Sequence, residues 1–135
     1  MSEHRGSCLC GQVHYVCHGD PIAVGLCLCT HCQKQTSSAF SLVAVMQKDA
    51  LEIHGELATY RDTGDSGQPV LRSFCPQCGS GIVSDVAIMP DVRIVKAGTF
   101  DDTGWLKPNH AIFCDSAQNW VQIPAELQRF NRMPQ

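Results

Sequence analysis

Seven of the nine cysteines in this 135-residue chain fall in three tight clusters, Cys8-x-Cys10, Cys27-x-Cys29-x2-Cys32 and Cys75-x2-Cys78. Cys17 and Cys114 stand alone. The first ten residues carry neither the basic flank nor the apolar stretch of a secretion signal, so the chain is expected to be cytoplasmic. In a reducing compartment an odd number of closely spaced thiols is explained by metal ligation rather than by disulfides. The clusters thereby constrain the fold before any secondary structure is assigned, because each ion must gather residues far apart in the sequence.

The length suits one domain, residues 1–135, and a chain 44% hydrophobic and 17% charged is globular rather than disordered. No apolar run approaches the roughly 20 residues of a membrane helix. The net charge of -3, with Lys and Arg scattered singly, argues against nucleic acid as a partner. Val13–Cys17 alternates as a half-buried strand does. Ala39–Met46, Leu51–Tyr60, Val70–Phe74, Gly81–Ile88 and Val92–Phe100 are short β-branched or aromatic runs bounded by Gly, Asp or Pro. A mainly β fold follows, with exposed loops over Arg61–Pro69 and Asp101–Gly104. Helix is expected only over Thr30–Ser37 and, behind Pro124, over Ala125–Phe130.

Zinc takes four ligands in a tetrahedron, and a Cys-x2-Cys turn lets two thiolates reach one ion while intervening N–H groups bond the sulfurs. Cys75-Pro76-Gln77-Cys78-Gly79 has this form, and Gly79 permits the left-handed backbone that closes such a knuckle. Cys8-Leu9-Cys10-Gly11 is a tighter pair; joined to Cys75 and Cys78 it makes a closed site of four thiolates. Cys27, Cys29 and Cys32 lie close enough to share one ion with a coordination position left open, the usual arrangement of catalytic zinc. A zinc ribbon pairing Cys29 and Cys32 with Cys75 and Cys78 is the weaker alternative, because the interval between the pairs exceeds the roughly 15–20 residues typical of that motif.

These motifs, followed by Gly98-Thr99-Phe100-Asp101-Asp102, Pro108-x-His110 and Trp120, resemble the glutathione-dependent formaldehyde-activating enzyme family, which includes centromere protein V-like proteins. The resemblance runs from about Ser7 to Trp120. It implies several small coiled antiparallel sheets with little helix, held by two zinc ions per chain. It further implies that Cys8, Cys10, Cys75 and Cys78 hold a structural zinc and that Cys27, Cys29 and Cys32 hold the catalytic one. The family's reaction joins formaldehyde to glutathione as S-hydroxymethylglutathione, formally a carbon–sulfur lyase run in reverse.

The expected function is therefore a zinc-dependent carbon–sulfur lyase acting on a small thiol and a small aldehyde. The rival is a non-catalytic zinc-stabilised β module that binds a protein partner. Among other residues, His31 is expected at an outward position of its Cys-x2-Cys turn, and His14, His18 and His54 at the surface. His110 is either a structural histidine or a pocket wall, Asp101 and Asp102 cap a turn, Trp105 and Trp120 pack in core, and Cys17 and Cys114 are buried thiols.

Overall fold

The structure, a computed structural model, describes residues 2–133; Met1, Pro134 and Gln135, at the ends of the expected 1–135 unit, lie outside them. Its strands are β1 (Glu3–Ser7), β2 (His14–His18), β3 (Ala23–Cys27), β4 (Ser41–Gln47), β5 (Leu51–His54), β6 (Ala58–Thr63), β7 (Pro69–Phe74), β8 (Gly81–Val86), β9 (Val92–Lys96), β10 (His110–Ile112) and β11 (Gln128–Arg129). One α-helix, α1 (Thr30–Thr36), and three short 3-10 turns complete the described residues. The expected mainly β architecture with little helix is what forms.

Strands β1, β2 and β5 make a small antiparallel sheet; the other eight make a larger one in the order β11-β10-β3-β4-β9-β8-β7-β6. Within the larger sheet only β10 and β11 run parallel to their neighbours. The expected single run Leu51–Tyr60 is two strands in different sheets, because Gly55 turns the chain at φ +107° against the Gln12 carbonyl. The expected loop over Arg61–Pro69 is shorter than its composition implies, since β6 continues to Thr63 and β7 starts at Pro69.

Alternation gives each sheet two faces. Val24, Ala44, Val95 and Val83 are register partners in successive strands, and they pack with Val13, Tyr15, Cys17 and Phe100 into a core between the sheets. Trp105 packs against this core and stacks on His4 at 3.7 Å. Leu26, Leu28, Ala111 and Leu127 form a second, smaller core. Ala125–Phe130 is not helical: a turn there leads into β11, which pairs with β10, and Leu127 anchors it in that second core. Short apolar spacing alone could not separate one buried turn from a helical stripe.

Strand β1 was not evident in the sequence, because Glu3-His4-Arg5-Gly6-Ser7 has no apolar alternation. It is held by five register pairs with β2 and by a bridge from Gly6 to Phe100. Gly6 is pressed against the Tyr15 ring and the Thr99 carbonyl, where a Cβ has no room, and the Tyr15 hydroxyl bonds Thr99 Oγ1 at 2.6 Å. Gly6→Val is expected to lower stability by about 1–3 kcal/mol through overpacking, measured by urea unfolding. An unchanged midpoint would show that β1 yields without disturbing the core.

Candidate metal centres

Two groups of thiols converge. Cys8 and Cys10 lie on the turn after β1, Cys75 and Cys78 on the turn between β7 and β8, and their four sulfurs lie within 4.8 Å of one another. Cys8 and Cys10 Sγ are 3.6 Å apart, and Cys10 and Cys75 Sγ 3.8 Å. Thiolates about 2.3 Å from a tetrahedral ion are separated by about 3.8 Å, so the donor set and its spacing fit zinc without rearrangement. The knuckles have the local form this requires. Gly11 and Gly79 take φ of +84° and +83°, the N–H of Val13 donates to Cys8 Sγ at 3.3 Å, and that of Cys78 donates to Cys75 Sγ at 3.4 Å. The Leu9 N–H donates to Ser80 Oγ at 3.1 Å, joining the two turns directly.

The second group is Cys27, Cys29 and Cys32, whose sulfurs also lie within 4.8 Å of one another. Cys27 closes β3, Cys29 caps α1 and Cys32 sits in its first turn, where the Cys32 N–H donates to Cys29 Sγ at 3.2 Å. Among the described residues no histidine or carboxylate joins this group. The ribbon pairing of Cys29 and Cys32 with Cys75 and Cys78 is not what the structure brings together: each cluster is complete without the other. Hydrogen bonds from Cys27 and Cys29 hold the Cys32 thiol far below its ordinary range, aided by the fields of Lys96 and Arg72. Cys29 and Cys32 in turn push Cys27 strongly up.

The register of the larger sheet explains why cations face this group. Cys27 pairs with Ser41, Val43 with Lys96, Ser84 with Ile94 and Arg72 with Ser84. Directly opposed residues share a face and so do residues two apart, so Cys27, Ser41, Lys96, Ser84 and Arg72 all lie on the face opposite the core. The four polar members of that set are nevertheless buried. Arg72 Nη1 donates to Cys32 Sγ at 3.8 Å, and its Nε donates to Asp62 Oδ2 at 2.9 Å. His31 reaches the same carboxylate, with Nδ1 2.8 Å from Asp62 Oδ2. Burial raises the Asp62 pKa, but the bonds from His31 and Arg72 outweigh it and hold the carboxyl low.

Asp62, Arg72, Ser41 and Lys96 were missed in the sequence. The available signal was a cation inside an apolar β run, in Val70-Leu71-Arg72-Ser73-Phe74 and Val92-Arg93-Ile94-Val95-Lys96, since charges are seldom buried without a partner. Gln33 was missed too; its Nε2 donates to the Leu28 and Ser116 carbonyls at 2.7 and 3.0 Å and ties α1 to the C-terminal segment.

The remaining residues fall as follows. His31 is exposed, as expected of its position, yet engaged by Asp62. The His110 ring lies over Gly25, on the same face as Cys27 and two register positions along from it. His14, His18 and His54 are exposed, and Asp102 Oδ1 caps the turn by accepting the Gly104 N–H at 2.9 Å. Cys17 is fully buried, which pushes its thiol up to about 11, and Cys114 is half-buried against the second core. Trp120 departs from expectation: it is 72% exposed and lines a shallow surface depression with Gln33 and Gln118.

A mainly β chain folded around two convergent thiol clusters, each able to hold a metal ion, is the class defined by this fold and these sites. Residues 3–116 match the glutathione-dependent formaldehyde-activating enzyme family, and the chain belongs to it. A Penicillium rubens protein bearing that family's name is 26% identical over 139 residues, covering 94% of this chain and 72% of the relative. An Aspergillus flavus protein of the same name is 28% identical over 114 residues, covering 81% of this chain. The match takes in 59% of the Aspergillus flavus protein's length. A solved Rhodobacter sphaeroides structure shares the fold, with a TM-score of 0.57 at 18% identity over 77% of this chain and 91% of that one. No helix among the described residues is long and apolar enough to cross a membrane.

Removing one partner from a buried ion pair leaves a charge uncompensated. Arg72→Met is therefore expected to cost about 3 kcal/mol by urea unfolding, and Asp62→Asn clearly less, since the arginine keeps the thiolates as partners. Equal losses would mean that the Asp62 bond, not the Cys32 contact, holds Arg72 in place.

Proposed function

We propose that the chain is a zinc-dependent carbon–sulfur lyase that joins and separates a small thiol of the glutathione type and a small aldehyde such as formaldehyde. In this reading residues 1–135 act as one cytoplasmic domain. Cys8, Cys10, Cys75 and Cys78 hold a structural zinc, and Cys27, Cys29 and Cys32 hold a catalytic one. The observation that carries it is the inequality of the two clusters: four thiols converge in one and three in the other. Four thiolates fill a tetrahedron, whereas three leave a position for a substrate. The glutathione and formaldehyde in the family's name supply the substrate class. Nothing favours the alternative of a non-catalytic module binding a protein partner.

Cys27, Cys29 and Cys32 would hold the zinc, which when bound would lower the pKa of an incoming thiol and polarise a carbonyl. The chain's own residues prepare that position. The Cys32 N–H donates to Cys29 Sγ and the Arg72 guanidinium to Cys32 Sγ, which orients those two sulfurs beside that of Cys27. The carbon–sulfur step balances without an oxidant. The thiol sulfur bonds to the aldehyde carbon, the carbonyl π pair moves onto oxygen, and the proton lost by the thiol is returned to that oxygen.

The purified protein is expected to be colourless with two zinc ions per chain. With cobalt in their place, glutathione should alter the visible spectrum of one metal per chain, and its affinity should rise with pH up to the free thiol's pKa, because binding releases a proton. If no small thiol perturbs either metal and formaldehyde is not consumed, the reaction is wrong for this chain.

The two sites should also fail differently. Metal binding to the four-thiol site contributes on the order of 10 kcal/mol to folding, so Cys75→Ser should give insoluble or molten protein. Cys29→Ser should melt cooperatively and lack thiol binding. Equal damage to folding from both would remove the distinction between a structural and a catalytic site.

A further inference from the structure

Lys96 is the one lysine among the described residues whose side chain is buried, and no carboxylate lies within 4.0 Å of it. A buried ammonium without an acidic partner requires another source of negative charge. Its Nζ donates to Ser41 Oγ at 2.8 Å, which accounts for one of its three N–H bonds. Ser41, itself 1% exposed, is the register partner of Cys27, so the ammonium is seated beside the three-thiol site; burial, with Arg72, pulls its pKa down, and the fields of all three sulfurs oppose that. Lys96 and Ser41 also line a cleft of about 450 Å³ between α1 and the Gly79–Gly81 turn. Gln35 lines the same cleft, and its Oε1 is buried without a partner.

Formal charges decide what the lysine is for. Three thiolates around a divalent ion leave one net negative charge, and a fourth thiolate at the open position makes it two. Arg72 cannot offset the second, because Asp62 already faces it at 2.9 Å. Lys96 has no such partner. We infer that Lys96, oriented by Ser41, is the positioning residue that lets an anionic thiolate, rather than neutral water, occupy the open position of the Cys27, Cys29 and Cys32 site. The inference rests on the proposed zinc site and adds to it the residue that selects ligand charge. Lys96 touches no reacting atom; it acts by stabilising the ligand's charge across a buried, weakly screened distance.

The test uses the full chain with cobalt in both sites and follows the visible spectrum as glutathione or imidazole, a neutral ligand, is added. Lys96→Met should keep two metals per chain, bind glutathione about tenfold or more weakly, and bind imidazole as the wild type does. Lys96→Arg should restore most of the glutathione affinity. A folded Lys96→Met protein with two metals and wild-type glutathione affinity overturns the inference and leaves the proposed function standing, whereas wild-type protein that takes up no thiol overturns both. Should Lys96→Met not fold, Ser41→Ala decides: it keeps the charge but releases its orientation. A loss of a few-fold for glutathione with none for imidazole supports the inference, and equal changes for the two ligands, or none for either, overturn it.

Discussion

The convergence of Cys8 and Cys10 with Cys75 and Cys78 is the contact on which the arrangement of the two sheets depends. The small sheet otherwise meets the rest of the chain through an apolar core, the bridge from Gly6 to Phe100 and hydrogen bonds from the Asp101 N–H to the Arg5 carbonyl and between Tyr15 and Thr99. Cys10 and Cys75 are 65 residues apart in the chain and 3.8 Å apart in space. Closing so long an interval costs chain entropy that an apolar contact of two small residues does not recover, whereas a cluster of thiols able to share an ion does. Both turns are consistent with that role, since each is closed by a glycine at positive φ and each supplies a backbone N–H to a sulfur. Because the β7–β8 turn is fixed in this way, β8 and β9 are fixed behind it, and Lys96 at the end of β9 takes its place beside Ser41.

The larger sheet then works as a divider. One face carries Val24, Ala44, Val83 and Val95 and is closed by the small sheet. The other carries Ser41, Arg72, Ser84 and Lys96, buried although polar, beside the Cys27–Cys32 segment. Burial alone drives a thiol toward the neutral form, as it does Cys17, whereas at Cys32 hydrogen bonds from Cys27 and Cys29, aided by the fields of Lys96 and Arg72, outweigh it.

What could be seen in the sequence divides along the same line. The thiol clusters were legible because ligand spacing is local: a Cys-x2-Cys turn presents two sulfurs whatever the fold around it. The runs that became β2, β4, β7, β8 and β9 were legible because alternation, in the first, and short β-branched or aromatic runs bounded by turn residues, in the others, are also local signals. Strand β1 was hidden because its stability comes from its partner, and its one decisive residue, Gly6, matters only through the Tyr15 ring pressed against it. The pairing of Cys8 and Cys10 with Cys75 and Cys78 was preferred but not compelled, since only the fold shows that the first and third clusters meet. Asp62, Arg72 and Lys96 were hidden for a related reason. Which face of a strand a charge occupies follows from register, and register is set by the neighbouring strands.

Each thiol cluster has two buried members, and the two clusters differ in the exposure of their remaining members as well as in count. In the four-thiol cluster Cys8 and Cys75 are buried, but Cys10 is exposed and Cys78 half-exposed, so water reaches two of its four sulfurs and can relieve part of its excess negative charge. In the three-thiol cluster Cys27 and Cys32 are buried, and there the compensation comes from side chains built into the sheet. A cluster balanced by solvent tolerates a closed, inert shell. One balanced by fixed cations responds strongly to any change in the charge it holds, because the surrounding groups cannot rearrange to absorb it. On the proposed reading, that difference suits the three-membered cluster to chemistry and the four-membered one to holding the chain together.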